Sequence, residues 1–239
     1  MNERNRTALI TGASRGLGLA LARALAARGW QLIIDARGGE ALDIAYEELV
    51  RTTHVVAISG DIADIGHRRQ LAEAARAAGG IDAVVNNASV LGPSPLPPLL
   101  DYPLDALEGV LRVNVVAQLG VLQEIHALDA LRTNGAIVNI TSDAGVEAYP
   151  GWGGYGSSKA ALEQISAVLA AELPDARVYW IDPGDMRTQM HQDAYPGEDI
   201  SDRPPPDDSV PGIIALIESD LPSGRYLAKS VKTAEPVSA

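Results

Sequence analysis

Short apolar runs alternate with alanine- and leucine-rich stretches along almost the whole chain. Thr7–Ile10, Trp30–Ile34, His54–Ser59, Ile81–Val85, Ala136–Ile140 and Arg177–Ile181 read as strands. Between them, Gly16–Arg28, Glu40–Arg51, Asp64–Ala78, Leu104–Leu131 and Tyr155–Leu173 carry apolar residues at helical spacing. Ile213–Ser219 adds a short helix and Arg225–Leu227 a last strand. A strand–helix order repeated in this way gives parallel strands, right-handed crossovers and helices on both faces. Strands covered on both faces should be nearly unbroken apolar runs, and these are. The expected fold is therefore α/β: a doubly wound parallel sheet with helices on both faces. No composition shift marks a boundary, so residues 1–239 are expected to form a single domain.

Two segments break the alternation. Leu91–Pro103 has five prolines in thirteen residues, which excludes helix and central strand. Gln189–Pro211 contains Pro196, Gly197 and the run Arg203-Pro-Pro-Pro206. Both follow strands and so begin at the carboxyl edge of the sheet, where open α/β sheets bind ligands. They are expected to be substrate loops, at about 91–103 and 189–211.

Composition removes whole classes of function. The formal net charge of −12 argues against binding to nucleic-acid phosphates. The absence of cysteine excludes disulfides, thiolate metal sites and a cysteine nucleophile. None of the four histidines has a partner at metal-ligand spacing, so no metal is expected. No apolar run approaches the ~18 residues of a membrane span. Met1–Arg6 leads straight into a strand with no room for a signal peptide, so a cytoplasmic location is expected.

Thr11-Gly-Ala-Ser-Arg-Gly-Leu-Gly18 lies between the first strand and the first helix. Glycines there let the backbone turn sharply and approach a pyrophosphate, which the helix N-terminus attracts. Tyr155 and Lys159 stand four residues apart at the start of a helix and share a face. Chance gives only about 0.1 such pairs in a chain of this composition. Lysine is scarce here: of nineteen basic residues only Lys159, Lys229 and Lys232 are lysines. Lys159 therefore stands out as a place where a compact ammonium is wanted. A cation beside a phenol favours the phenolate and would bring its pKa toward neutrality, so Tyr155 could give and take a proton. Ser142, ending the fifth strand, can hold a substrate oxygen against Tyr155.

In these motifs the chain resembles the short-chain dehydrogenase/reductase family, in its short single-domain branch. Thr11–Gly18 looks like the family's cofactor turn. Asn86-Asn-Ala-Ser89 resembles its N-N-A-G segment, with Ser89 in place of the usual glycine. The resemblance covers about Thr7 to Leu227 and implies a Rossmann-type sheet of about seven strands, order 3-2-1-4-5-6-7, within a single dinucleotide-binding and catalytic domain at 1–239. It implies an oxidoreductase that moves a hydride between a nicotinamide and a carbonyl or alcohol. The catalytic set would be Asn114, Ser142, Tyr155 and Lys159, with Asn114 holding a relay water. Gly12, Ser14, Arg15, Gly16, Leu17 and Gly18 would hold the pyrophosphate end. Asp61 and Ile62 would hold the adenine, together with Asn87 and Ala88 on the next turn. Pro183, Gly184, Met186 and Thr188 would hold the nicotinamide beside Tyr155 and Lys159.

Roughly eighteen positions past Gly18, where NAD users carry an acidic residue, stands Ala36, followed by Arg37. Arg15 and Arg37 suit a 2′-phosphate, so NADP(H) is expected over NAD(H). Asp35, one place earlier, should point away. A small-molecule substrate and a homodimer or homotetramer through the Tyr155 helix are implied. A non-catalytic NADP(H)-binding regulator on the same fold is the alternative.

Overall fold

The computed structural model describes residues 5–231. Seven strands form one parallel sheet in the order β3-β2-β1-β4-β5-β6-β7. They are β1 (Thr7–Ile10), β2 (Gln31–Ala36), β3 (Val55–Ser59), β4 (Ile81–Asn86), β5 (Leu131–Ile140), β6 (Arg177–Asp182) and β7 (Gly224–Leu227). The crossovers carry α1 (Gly16–Ala26), α2 (Gly39–Leu49), α3 (Ile65–Ala77), α4 (Leu104–Leu111), α5 (Gln118–Ala127) and α6 (Gly153–Glu172). The connection from β6 to β7 carries α7 (Gln189–Ala194) and α8 (Val210–Glu218).

The central strands are apolar because each is covered twice. Alternate residues of β1 face different layers: Ala8 and Ile10 pack in one core with Leu21 and Leu25 of α1. Leu9 packs in the other with Leu71 of α3 and Val121 of α5. With Phe absent, the largest fully buried side chains are Trp30 and Tyr179. Asp64 caps α3, accepting from the Gly66 N–H at 2.7 Å, as its place before an apolar helix implies.

Three sequence expectations are corrected. The stretch 104–131 is not one helix. It is interrupted by a π-helical turn at Arg112–Ala117 and ends at Ala127. The fifth strand starts at Leu131, five residues before its apolar run at Ala136, with a register shift opposite Ile81 and Ala83. Arg132 pairs with Asp82 there, so polar residues 132–134 extend the strand where periodicity shows none. The segment 189–211 is not all loop: Thr188 caps α7, and its last two residues open α8. A 3-10 turn at Leu99–Asp101 also interrupts the proline-rich loop.

Candidate active site

The carboxyl ends of the strands open onto one cleft of about 1370 Å³. Its first wall is the glycine turn. Gly12 has φ 66°, and a side-chain carbon there would lie 2.9 Å from Ala88 Cα. At Gly18 such a carbon would lie 2.4 Å from the Gly12 carbonyl oxygen and 2.6 Å from Asn87 Nδ2. Contacts this short are not made by real Cβ atoms, so a side chain at either position would push the turn off Ala88 and Asn87, its own supports. Gly18→Val is expected to weaken dinucleotide binding at least about 10-fold, measured by fluorescence titration.

Asparagine and aspartate brace the turn. Asn87 Nδ2 donates to the Thr11 carbonyl at 2.8 Å, and the Asn87 and Ala88 N–H groups donate to Thr11 Oγ1 at 3.0 Å. Asp35 is buried; its Oδ1 accepts from the Gly12 N–H at 2.7 Å, and its Oδ2 lies 2.9 Å from His67 Nε2. Both carboxylate oxygens are therefore taken. The Asp35–His67 pair is missed by motif reading, since thirty-two residues separate the two. Arg15 and Arg37 border the cleft, and among the described residues neither has an ion-pair partner. Asp61 Oδ1 accepts from the Ala63 N–H at 2.9 Å, which holds the turn that carries Asp61 and Ile62 on the cleft wall.

Of the four polar residues singled out from the sequence, the second wall carries Ser142, Tyr155 and Lys159, while Asn114 lies behind the lining. Asn114 lies in the π-helical turn and is fully buried. Its Oδ1 accepts from the Val90 N–H at 2.8 Å, and its Nδ2 donates to the Val90 carbonyl at 2.9 Å and to Ser158 Oγ at 3.0 Å. Asn114 thus ties the helix irregularity to the loop after β4 and to α6. Ser142 Oγ donates to Asp143 Oδ1 at 2.9 Å and accepts from the Ala144 N–H at 3.2 Å, so it also caps a short turn. Beneath them, Asn86, Asn139 and Ser166 form a buried chain of hydrogen bonds that motif reading passed over.

Lys159 is 2% exposed, donates to the Ile140 carbonyl at 2.8 Å and sits 5.3 Å from the centre of the Tyr155 ring. Burial brings its pKa down to about 8. Burial also drives Tyr155 upward, reinforced by the charges of Asp182 and Asp143, while the Ser89 hydroxyl acts the other way. Tyr155 therefore stands above its ordinary value, not below it as its place beside Lys159 implies. Desolvation is the largest influence on the phenol, and the Lys159 ammonium is itself buried and turned to a carbonyl.

A lysine whose folded pKa is depressed binds fewer protons than in the unfolded chain between pH 8 and its ordinary value. Its destabilising effect is therefore complete below pH 8 and is relieved as pH rises toward 10.5. Lys159→Met is expected to stabilise the protein at pH 7 by about 1–2 kcal/mol, less than the shift alone gives because the Ile140 carbonyl loses its donor. The gain should shrink toward pH 10 in thermal melts; a variant less stable than wild type at pH 7 contradicts it.

The end of β6 closes the cleft. Asp182 Oδ1 accepts from the Gly184 N–H at 2.8 Å, Ser209 Oγ donates to the Pro183 carbonyl at 2.7 Å, and Thr188 caps α7. Thr188 Cγ2 would be 3.7 Å from a carbon on Gly16, so this segment meets the glycine turn across the groove. Met186 borders the cleft and also packs on the main core. Trp152 stands edge-on to Tyr155, centroids 5.8 Å apart, and Tyr149 binds Asp143 and Glu147. His191 stacks on Tyr195 at 5.0 Å. No group of three or more His, Asp or Glu residues able to hold a metal occurs among the described residues.

The relatives and structural neighbours that the chain resembles are dehydrogenases and reductases, which makes it an NAD(P)-dependent oxidoreductase acting on alcohol and carbonyl groups. The family model "short chain dehydrogenase" matches residues 6–199. The chain belongs to the short-chain dehydrogenase/reductase family. It is 33% identical over 200 residues to a 2-(R)-hydroxypropyl-CoM dehydrogenase of Xanthobacter autotrophicus, covering 79% of this chain and 77% of the relative. A short chain dehydrogenase from Shigella flexneri, solved with NADP, superposes with TM-score 0.87 at 28% identity, over 94% of this chain and 96% of that one. One from Escherichia coli, solved with NADPH, gives 0.82 at 30% identity, over 95% and 97%. No helix among the described residues is long and apolar enough to cross a membrane.

Proposed function

We propose that the protein is an NADP(H)-dependent enzyme interconverting a carbonyl and an alcohol on a small molecule, with Tyr155 as acid and base, and that residues 1–239 act as one domain. Residues 1–4 and 232–239 of that span lie outside the described residues. The observation that carries the reading is the joint burial of Tyr155 and Lys159 on the same cleft as the glycine turn. Burying an ammonium and a phenol side by side destabilises the fold and is explained by chemistry done there.

Gly12 and Ser14–Gly18 would hold the pyrophosphate at the N-terminus of α1. Arg15 and Arg37 would grip the 2′-phosphate, and the NADP- and NADPH-bound structural neighbours support that choice. Asp61 and Ile62 would flank the adenine. Asn87 and Ala88 would line the middle, and Pro183, Gly184, Met186 and Thr188 the nicotinamide end. When bound, the nicotinamide supplies or accepts a hydride.

The chain's own residues manage the proton. Ser142 would release Asp143 and donate to the substrate oxygen. Tyr155 would pass its phenolic proton to that oxygen in reduction and take it back in oxidation. Lys159 would stabilise the phenolate, and Asn114 would support the proton relay by holding a water that links Lys159 to solvent. Wild-type protein should oxidise NADPH at least about tenfold faster than NADH across a panel of aldehydes and ketones. No turnover of either across that panel would overturn the proposal.

Assembly as a homodimer or homotetramer is proposed on the exposed apolar side chains of the α4–α6 layer: Leu104 at 74%, Val116 at 60% and Val168 at 43% exposure. Light scattering is expected to give a multiple of the 25.1 kDa chain, and a mass of one chain would refute it.

A further inference from the structure

Arg225 lies on β7, the edge strand, and no step described above uses it. Its guanidinium reaches three other parts of the chain. Nε donates to Glu163 Oε1 at 3.0 Å. Nη2 donates to the Ser142 carbonyl oxygen at 3.3 Å and stands 3.5 Å from Asp182 Oδ2.

Each partner carries a different piece of the site. Glu163 is one helical turn beyond Lys159 on α6, and its Oε1 also accepts from Thr141 Oγ1 at 2.7 Å. The Ser142 carbonyl belongs to the residue proposed to hold the substrate oxygen. Asp182 fixes the Gly184 N–H at 2.8 Å, at the start of the segment running to Thr188. The cluster is mostly shielded: side-chain exposure is 27% for Arg225, 12% for Glu163 and 7% for Asp182. Two shielded carboxylates need a shared cation, and burial pushes the Asp182 carboxyl up while Arg225 draws it down. Only a planar fork with several N–H donors meets all three acceptors; a lysine ammonium is a point charge on a flexible stem.

We propose that Arg225 is a positioning residue, a single guanidinium that fixes the ends of β5 and β6 and the helix α6 against one another. Ser142, the Pro183–Thr188 segment and the Tyr155–Lys159 pair are thereby held facing the same reacting centre. The proposal rests on the catalytic reading given above.

The test uses the full chain with Arg225→Met, and Arg225→Lys in case the first does not fold. Hydrogen exchange is followed by mass spectrometry without cofactor. Residues 141–145 and 182–188 should exchange at least about tenfold faster than in wild type, while residues 11–18 are unchanged. The dissociation constant of 2′,5′-ADP, which carries only the adenine half, should stay the same, and kcat should fall by at least about 10-fold. Arg225→Lys should show the same pattern at smaller amplitude. Exchange unaltered in the two segments, or raised uniformly through the protein, overturns the proposal. A wild-type protein without turnover counts against the catalytic reading, and the exchange pattern still decides the role of Arg225.

Discussion

Replacing Tyr155 with phenylalanine is expected to lower kcat by at least about 10²-fold and to leave NADPH binding within about threefold of wild type. The substitution removes one oxygen from a buried ring whose edge-on neighbour is Trp152, so packing is kept and only the proton donor is lost. The pH dependence follows from the same burial. Desolvation holds the phenol above its ordinary value in the free enzyme, so it is protonated throughout the neutral range. Reduction should therefore find its acid ready between about pH 6 and 8. Oxidation needs the phenolate, and its kcat/KM should climb with pH across that interval. Lys159, with a pKa brought down to about 8, loses its charge over the upper part of the range and limits the climb. Steady-state rates in both directions across that range check this. A Tyr155→Phe variant turning over normally, or an oxidation rate that falls with rising pH, contradicts the role assigned to the phenol.

The second large effect concerns the cofactor's phosphate. Arg15→Ala combined with Arg37→Ala is expected to raise the KM for NADPH on the order of 10²-fold and to leave that for NADH nearly unchanged. Each guanidinium–phosphate contact is a charge-assisted hydrogen bond worth about 1.5–3 kcal/mol. Neither arginine supports the fold through an ion pair among the described residues, so the double variant should melt close to wild type. Equal losses for NADPH and NADH would show that the two cations act elsewhere.

The parallel sheet was legible because each strand has a short apolar run and each crossover an amphipathic helix. Alternation and crossover handedness make the strands parallel and cover both faces; the strand order comes with the resemblance carried by the glycine turn and the Tyr155–Lys159 pair. β5 was read short because Arg132, Thr133 and Asn134 are polar. They lie in the bulge between the Ile81–Leu131 and Ala83–Ala136 pairs, where Arg132 meets Asp82 across fifty residues. The helical break at Arg112–Ala117 has no glycine or proline to announce it; Asn114 bonding to the Val90 backbone accompanies it.

The site was legible where chemistry demands local spacing, as in Thr11–Gly18 and Tyr155–Lys159. It was hidden where supports come from distant strands. Asp35 holding Gly12, and Arg225 spanning Ser142, Asp182 and Glu163, are geometric facts with no sequence period. The Tyr155 acidity was misjudged for a related reason. Spacing shows that a lysine is near, but not that both groups are desolvated or that Lys159 faces a carbonyl.

The central claim is that Tyr155 serves a hydride transfer made in this cleft. NADPH carrying deuterium on the transferred position of the nicotinamide is supplied with a turned-over ketone, and the product alcohol is examined by mass spectrometry and NMR. One deuterium on the carbinol carbon, on a single face, with at least about 10²-fold less product from Tyr155→Phe, is the predicted result. Product formed without deuterium, or at equal rate by the variant, contradicts the account.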